Sequence, residues 1–290
     1  MVESTLDQKY DRLRNIIRSL DRVAVAFSAG VDSTLVLKVG LDVLGPDRVT
    51  AVTGRSDSLA TAEFESAVAL TDRLGARHVV LDTDEFDNAD YLANPQNRCY
   101  FCKTTLYGHM TRFIEREGIK HIINGINADD YGDWRPGIAA ATEHAVRCPV
   151  AEAGMNKSDV RALSKRLALP NFDKPASPCL SSRVPYGEPI TPEKLKQVES
   201  CEAFLHALGF AQCRVRHHDN LARVEVPADQ IERISAPDLA RRIVEHFRRA
   251  GYQYVTLDLQ GFRSGSMNEV IAFGKPQPVH ESVTRDKKTF

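Results

Sequence analysis

The run Val23-Ala24-Val25-Ala26-Phe27 is apolar without a break and ends at Ser28-Ala29-Gly30, the pattern of a strand covered on both faces. The period then changes. From Asp32 the apolar residues Leu35, Val36, Val39 and Val43 recur at helical spacing until Gly45-Pro46 stops them. The alternation continues, with strands predicted at residues 49–53, 78–81 and 121–124 and helices around 61–74 and 104–117. Strands that alternate with helices pair in parallel through right-handed crossovers, which predicts an α/β fold built on a doubly wound parallel sheet. Ligands of such sheets bind outside the carboxyl ends of the strands, so the loops there are the first place to look for chemistry.

A further helix is predicted from Ser158, with Asp159 in its first turn and Val160, Leu163 and Leu167 on one face, stopping before Pro170. The stretch 174–191 contains Pro175, Pro178, Pro185, Pro189 and Gly187 and sustains no helical period, which marks it as a linker or an active-site loop. Thr191-Pro192-Glu193 then reads as an N-cap, a proline at the first helical position and an acidic first turn, opening a helix that runs to about Leu208 and ends at Gly209. Strands at 213–216 and 222–226, a helix near 237–249 and a strand near 252–257 predict a smaller C-terminal α+β domain. The expected division is 1–173, a loop or linker at 174–190, a small domain over 191–275 and a polar tail over 276–290. No internal repeat is present.

Composition narrows the function classes. The chain has 290 residues, and its 38 Lys and Arg against 39 Asp and Glu give a net charge of −1, no sign of a nucleic-acid-binding protein, although a local basic face stays open. A hydrophobic share of 42% with 27% charged residues excludes a disordered chain. No stretch approaches the ~20 apolar residues of a membrane span, and the N-terminus has no apolar signal region, so a cytoplasmic protein is expected. Six cysteines are too few for a disulfide scaffold and are expected to be thiols. Cys99 and Cys102 form a C-x-x-C, which fits a redox pair, half of a zinc site or part of an iron–sulfur site. Cys148, Cys179, Cys201 and Cys213 are scattered.

Four stretches carry candidate chemistry. Ser28-Ala29-Gly30-Val31-Asp32-Ser33, between a strand and a helix, offers backbone N–H groups and the positive end of a helix dipole to an anion. Ser28 and Ser33 add hydroxyls, and Asp32 is placed to orient the loop or to help hold magnesium. Asn124-Gly125-Ile126-Asn127-Ala128-Asp129-Asp130 follows the fourth strand and continues to Asp133, so its carboxylates, Asp130 among them, suit Mg²⁺ at a strand's carboxyl end. Cys179 lies in the proline-stiffened run from Lys174 to Gly187, beside Ser181, Ser182 and Arg183, where a nearby cation would lower the pKa of a thiol. Arg214 and Arg216 alternate along a strand and share a face, a fork arrangement suited to phosphate. His217 and His218 are adjacent, fall on opposite faces and form no metal pair.

The first of these stretches resembles the PP-loop of the ATP pyrophosphatase superfamily, whose members cleave ATP between the α and β phosphates. The superfamily usually has glycine where this chain has Ala29; if φ there must be positive, alanine costs roughly 1 kcal/mol or more. The Cys179 stretch, taken with Asn94-Pro95, Asn97-Arg98-Cys99-Tyr100-Phe101-Cys102-Lys103, the 154–170 segment, Arg214-Val215-Arg216 and Gly261-Phe262-Arg263-Ser264-Gly265, closely resembles the LarE family over about residues 20–265. The resemblance implies an ATP-dependent sulfurtransferase that adenylates a carboxylate of pyridinium-3,5-biscarboxylic acid mononucleotide and converts it to a thiocarboxylate, for the nickel-pincer nucleotide of lactate racemase. It implies ATP and Mg²⁺ at Ser28, Gly30, Asp32, Ser33 and Gly125, with Asp130 as a magnesium candidate. Substrate would be held by Arg183, Arg214 and Arg216, with Glu202 and Glu225 as acidic partners or as ordinary salt-bridge residues. Cys179 takes the position of the sulfur-bearing cysteine, consumed in a sacrificial transfer. Family members with three cysteines hold a [4Fe–4S] cluster, here on Cys99, Cys102 and Cys179. Zinc, free thiols and a disulfide are the rival readings of those three. The resemblance further implies a sulfur donor and a homo-oligomer built from dimers. A PP-loop tRNA thiolase and a non-catalytic nucleotide-binding sensor are the alternative functions. Cys99, Cys102 and Cys179 are expected to converge, each in a loop opening onto the carboxyl edge of the sheet.

Overall fold

The structure is a computed structural model that describes residues 4–132 and 135–263. In chain order its helices and strands are α1 (Leu6–Arg18), β1 (Val23–Ala26), α2 (Val31–Leu44), β2 (Val49–Arg55), α3 (Thr61–Leu74), β3 (Arg77–Asp82), α4 (Ala89–Leu92), α5 (Arg98–Glu117), β4 (His121–Ile123), α6 (Gly137–Glu143), α7 (Pro149–Glu152), α8 (Lys157–Arg166), α9 (Pro192–Ala207), β5 (Arg214–His218), β6 (Leu221–Glu225), α10 (Ile231–Ile234), α11 (Pro237–Arg249) and β7 (Tyr254–Leu257). The chain separates into two compact units, one reaching Ser200 and the other starting at Cys201, so residues 174–190 fall inside the first.

The first unit is the predicted parallel sheet, in the order β3-β2-β1-β4, with β1 paired in parallel to both β2 and β4. Alternation along the strands makes it two-sided. Val23 and Val25 of β1, Val49 and Ala51 of β2 and Ile123 of β4 point into one core with Leu13, Ile17, Leu35, Val39, Ala67, Leu70, Val160 and Leu163, from α1, α2, α3 and α8. Ala24, Val52 and Ile122 point into the other with Tyr107, Met110, Phe113, Ala140 and Ala141, from α5 and α6. Helices thus cover both faces, and a strand buried on both sides reads as a continuous apolar run. The carboxyl ends of β1, β2 and β4 meet at one edge.

Two differences from the periodicity reading bear on the site. Helix α1 was not anticipated, although Thr5 and Gln8 form a reciprocal capping box and Leu13 and Ile17 are fully buried. Helix α5 begins at Arg98 and not near 104, so Cys99 and Cys102 lie in its first two turns and not in a loop. The apolar period from Tyr107 onward marks the core face of α5, but its first turns face the site and carry no such stripe.

The second unit has the predicted small α+β form. Strand β5 pairs antiparallel with β6, and β6 pairs in parallel with β7 after the crossover through α10 and α11. Val215, Ala222, Val224, Ile243, Phe247 and Tyr252 are buried there. Residues 264–290 lie outside the described residues, so the expected polar tail and the last two positions of the 261–265 motif receive no structural account.

Candidate active site

The loop between β1 and α2 is drawn so that its carbonyls turn inward. Ala29 has φ 55°, the left-handed conformation anticipated for a position usually held by glycine, and it is fully buried. The Ala29 carbonyl accepts from Asn171 Nδ2 at 3.0 Å and from Lys174 Nζ at 3.4 Å. The Gly30 carbonyl accepts from Ser33 Oγ at 3.1 Å and Thr34 Oγ1 at 2.8 Å. Ser28 and Ser33 hydroxyls stand 3.3 Å apart, and the Ser28 N–H donates to Ser33 Oγ. Gly30 caps α2 without a side-chain bond, so the first N–H groups of that helix have no intrahelical partner, the arrangement by which helix N-termini bind anions.

Gly125 explains its own presence. A Cβ there would stand 2.7 Å from the backbone carbon of Asp32 and 2.7 Å from the Ser33 nitrogen, so the turn after β4 rests directly on the phosphate-type loop. The same turn supplies Asn127, whose Nδ2 donates to Asp32 Oδ1 at 3.1 Å, while Lys157 at the start of α8 forms an ion pair with Asp32. Asp130 has both oxygens engaged, one by the Asn127 N–H at 3.0 Å and the other by Arg135 at 3.0 Å. Asp129 accepts from the Lys157 N–H at 2.9 Å, and Asp133 lies outside the described residues.

The segments that carry Cys179, Cys99 and Cys102 are stitched together. Asn94, fully buried at φ 53°, donates from Nδ2 to the carbonyls of Val184, Pro185 and Glu188 at 3.3, 2.7 and 3.0 Å. Gly187 N donates back to the Asn94 carbonyl and Ile190 N to that of Leu92, both at 2.9 Å. Arg98 Nη1 donates to the Ser181 carbonyl at 3.0 Å, and Tyr91 Oη lies 2.7 Å from Ser181 Oγ. The other side of the Cys179 loop is fixed by Leu180 N donating to the Ser58 carbonyl at 2.9 Å. Arg183 Nη1 donates to the carbonyls of Pro178 at 2.5 Å and Cys179 at 2.9 Å, so it shapes the loop around the thiol.

The charges of the three thiols and their neighbours act on one another. Burial pushes the Cys102 thiol up to about 12, and Glu85, Cys179 and Cys99 add to the rise. Burial also pushes the Cys99 thiol up, Cys179 reinforcing it while Arg98 and Lys103 oppose. Cys99 is nevertheless exposed by area, so it lines a concave surface with protein around it and solvent in front. Burial works against the charges of Arg98 and Lys103, yet the neighbouring Cys179, Cys99 and tyrosines for Arg98, and Tyr107 and the three cysteines for Lys103, hold both above their ordinary values. Burial, with Cys179 next, raises the Tyr91 phenol. Glu85 is buried with Oε1 accepting from Ser56 at 2.6 Å, and its Oε2 has no hydrogen-bond partner among the described residues. Among the described residues no three His, Cys, Asp or Glu side chains are gathered as they would be around one metal ion. The donor set itself, three thiols beside two cations that offset thiolate charge, fits an iron–sulfur cluster in chemistry.

In the second unit Arg214 and Arg216 are buried and not solvated surface charges. Arg216 donates from Nε and Nη2 to the two oxygens of Glu225 at 3.0 and 2.8 Å, and Arg223 lies 3.2 Å from the same carboxylate. The Arg214 guanidinium lies over the Phe262 ring, and Glu202 Oε1 accepts from Val215 N at 2.9 Å. His217 turns inward to Tyr252 Oη while His218 meets Arg223 Nε, the opposite faces that adjacency predicts.

Glu85, Tyr91 and Asn171, which the sequence reading passed over, join Lys103, Asn127, Lys157 and Lys174, which it quoted only inside longer motifs, in the first unit's site. None carries a spacing signal, because each is defined by what folds against it. Asn94 had one, since an asparagine is among the few residues that tolerate the left-handed region.

No family model matches the chain. It is 47% identical to an uncharacterised protein of Synechocystis over 92% of this chain and 99% of that one. It is 39% identical to the pyridinium-3,5-bisthiocarboxylic acid mononucleotide synthase of Lactiplantibacillus plantarum, over 92% of this chain and 96% of that enzyme. A tRNA-specific 2-thiouridylase of Azorhizobium caulinodans is 29% identical over 54% of this chain and 49% of its own length.

Proposed function

The chain belongs to the family of the pyridinium-3,5-bisthiocarboxylic acid mononucleotide synthase, and on that premise we propose that it is an ATP-dependent sulfurtransferase acting on pyridinium-3,5-biscarboxylic acid mononucleotide. What supports the reading most is the set of bonds that ties the Cys179 loop to the segment opening α5, which carries Cys99 and Cys102. A carboxylate oxygen of the substrate attacks the α phosphorus of ATP, giving an acyl-adenylate and pyrophosphate. The N–H groups after Gly30, with the Ser28 and Ser33 hydroxyls, bind the phosphates. Lys157 balances Asp32 beside them. Asp130, bonded to the Asn127 N–H and to Arg135, is the carboxylate that would help hold magnesium beside the phosphates. Arg214 and Arg216 hold the substrate phosphate, Arg216 while paired to Glu225.

Sulfur then replaces AMP at the activated carbon. In the sacrificial form the Cys179 thiolate attacks, AMP leaves, and loss of the Cys179 α-proton with C–S cleavage yields a thiocarboxylate and dehydroalanine. Cys99, Cys102 and Cys179 would hold a [4Fe–4S] cluster, which when bound supplies a transferable sulfide and spares the protein's own sulfur. Lys103 and Arg98 offset the negative charge of thiolates in either case. The second reading, tRNA thiolation, has the 2-thiouridylase similarity in its favour and the near-neutral charge against it.

The deciding experiment incubates anaerobically prepared protein with ATP, Mg²⁺ and the pyridinium dicarboxylate mononucleotide and weighs the small molecule by mass spectrometry. A thiocarboxylate product is expected. Pyrophosphate release with tRNA thiolation and no thiocarboxylate would establish the second reading instead, and absence of ATP turnover would leave a nucleotide sensor.

A further inference from the structure

The alanine in the left-handed region of the anion loop is held there by a segment far away in sequence. Ala29 has φ 55°, the left-handed conformation that strains any residue with a β-carbon. The compensation comes from the turn after α8. Asn171 Nδ2 donates one hydrogen to the Ala29 carbonyl at 3.0 Å and the other to Thr34 Oγ1 at 2.9 Å. Thr34 in turn donates to the Gly30 carbonyl at 2.8 Å, so one amide group ties down two successive carbonyls. Lys174, whose N–H bonds to the Asn171 carbonyl at 3.0 Å, adds its Nζ to the Ala29 carbonyl and reaches Glu63 at 2.6 Å. Asn171, Thr34 and Ala29 are all buried. Asn171 Oδ1 has no hydrogen-bond partner among the described residues, so the two donor bonds are what orient this amide. A backbone anion site works only if its carbonyls point away from the ligand, because a carbonyl facing phosphate repels it.

We propose that Asn171, seconded by Lys174, is a positioning residue that replaces the conformational freedom of a loop glycine: it locks the Ala29 peptide with its carbonyl inward and so keeps the N–H groups of the anion loop facing ATP. This rests on the nucleotide-binding reading above for its ligand, and on the free protein for its geometry. The loop has two states, and Ala29 biases it toward the wrong one. Removing the Asn171 bonds lets the peptide turn; glycine at 29 removes the bias that turns it.

The test is a cycle of Asn171→Ala, Asn171→Asp, Ala29→Gly and the Asn171→Ala/Ala29→Gly pair, read by calorimetric affinity for ATP with Mg²⁺ and by the Gly30 amide resonance of the ligand-free protein. Asn171→Ala is expected to weaken ATP about tenfold, the factor matching roughly 1.4 kcal/mol for one well-placed hydrogen bond. Asn171→Asp keeps the size and sets an oxygen against the Ala29 carbonyl, so it should be worse than alanine. Adding Ala29→Gly to Asn171→Ala should recover most of the affinity, a rescue that a merely structural role for Asn171 would not produce. The Gly30 resonance should broaden or double in Asn171→Ala and return to one sharp signal in the pair. Wild-type affinity in Asn171→Ala, or a loss that glycine at 29 does not recover, overturns the proposal. Wild-type protein that fails to bind ATP overturns the nucleotide reading, and the Gly30 resonance then decides the positioning role by itself.

Discussion

The anion loop and the thiol pocket of the first unit treat their polar groups in opposite ways. In the loop, the Ala29 and Gly30 carbonyls accept from Asn171, Lys174, Ser33 and Thr34, and the serine hydroxyls bond to one another. In the pocket, Arg98 Nε and Glu85 Oε2 are buried without hydrogen-bond partners among the described residues. A site that binds by backbone N–H groups must fix its backbone in advance, since any turn of a peptide swaps donor for acceptor. A site that handles sulfur has a different need. A charged group with one bonding atom unpaired can still answer to a thiolate or a sulfide, and a buried unpaired atom is tolerated where chemistry uses it. On the function proposed here the difference separates two roles, the loop setting the phosphates and the pocket the nucleophile.

Mutations should separate them too. The largest effect is expected from Cys179→Ala, which removes thiocarboxylate formation completely while pyrophosphate release continues. Cys99→Ala sharpens the contrast, because it should end repeated turnover yet leave at most one product per protein chain. Product counting by mass spectrometry reads both; repeated turnover by Cys179→Ala would show the pocket to be misplaced. Asp32→Ala acts on the other region. With its bonds to Lys157 and Asn127 gone, adenylation should fall roughly 10²–10³-fold, the scale for losing one preorganised electrostatic contact, with the far-ultraviolet circular dichroism unchanged. Adenylation at the wild-type rate would remove the loop from the mechanism.

Gly125→Ala tests how rigidly the loop is backed. The new methyl would meet the Asp32 and Ser33 backbone at 2.7 Å, and overpacking of that kind costs about 1–3 kcal/mol. Urea unfolding should show that loss together with weaker ATP binding, and cysteine labelling in the pocket should not change. The smallest effect concerns pH. Burial raises the Cys102 thiol, and equally Cys201 in the second unit, from 9.0 to about 12. Below 9.0 both the folded and unfolded chains keep these protons. Between 9.0 and about 12 only the unfolded chain loses them, so stability falls as pH rises through that window. Urea midpoints of the metal-free protein at pH 8 and pH 10 should differ, and Cys102→Ala should flatten the difference; an unchanged slope would place Cys102 in water.

Much of the first region was legible along the chain. The apolar run of β1, the turn, and the helical period of α2 are contiguous, so local pattern was enough to find the loop. Its departure from glycine at Ala29 was also visible, and the positive φ follows from the turn's need to reverse between strand and helix. What holds that angle was not visible, because Asn171 is more than a hundred residues away and an asparagine in a turn has no distinguishing spacing. The pocket was legible only as a list of residue types. Cys99 and Cys102 were expected in a loop, and they stand in the first turns of α5, where the site-facing side of the helix carries no apolar stripe to announce it.

Local pattern, then, determined the parallel α/β sheet, the small α+β unit, the anion loop and the identity of the three cysteines, since each depends on neighbours a few residues apart. The tertiary structure alone decided that the Cys179 loop is bound to the segment leading into α5, through Asn94 bridging to the carbonyls of Val184, Pro185 and Glu188. It alone decided which buried polar atoms lack a partner among the described residues, and that Asp130 bonds to Asn127 and Arg135. Hydrogen bonds between segments some ninety residues apart leave no period in a sequence, because their partners are chosen by the fold and not by the chain.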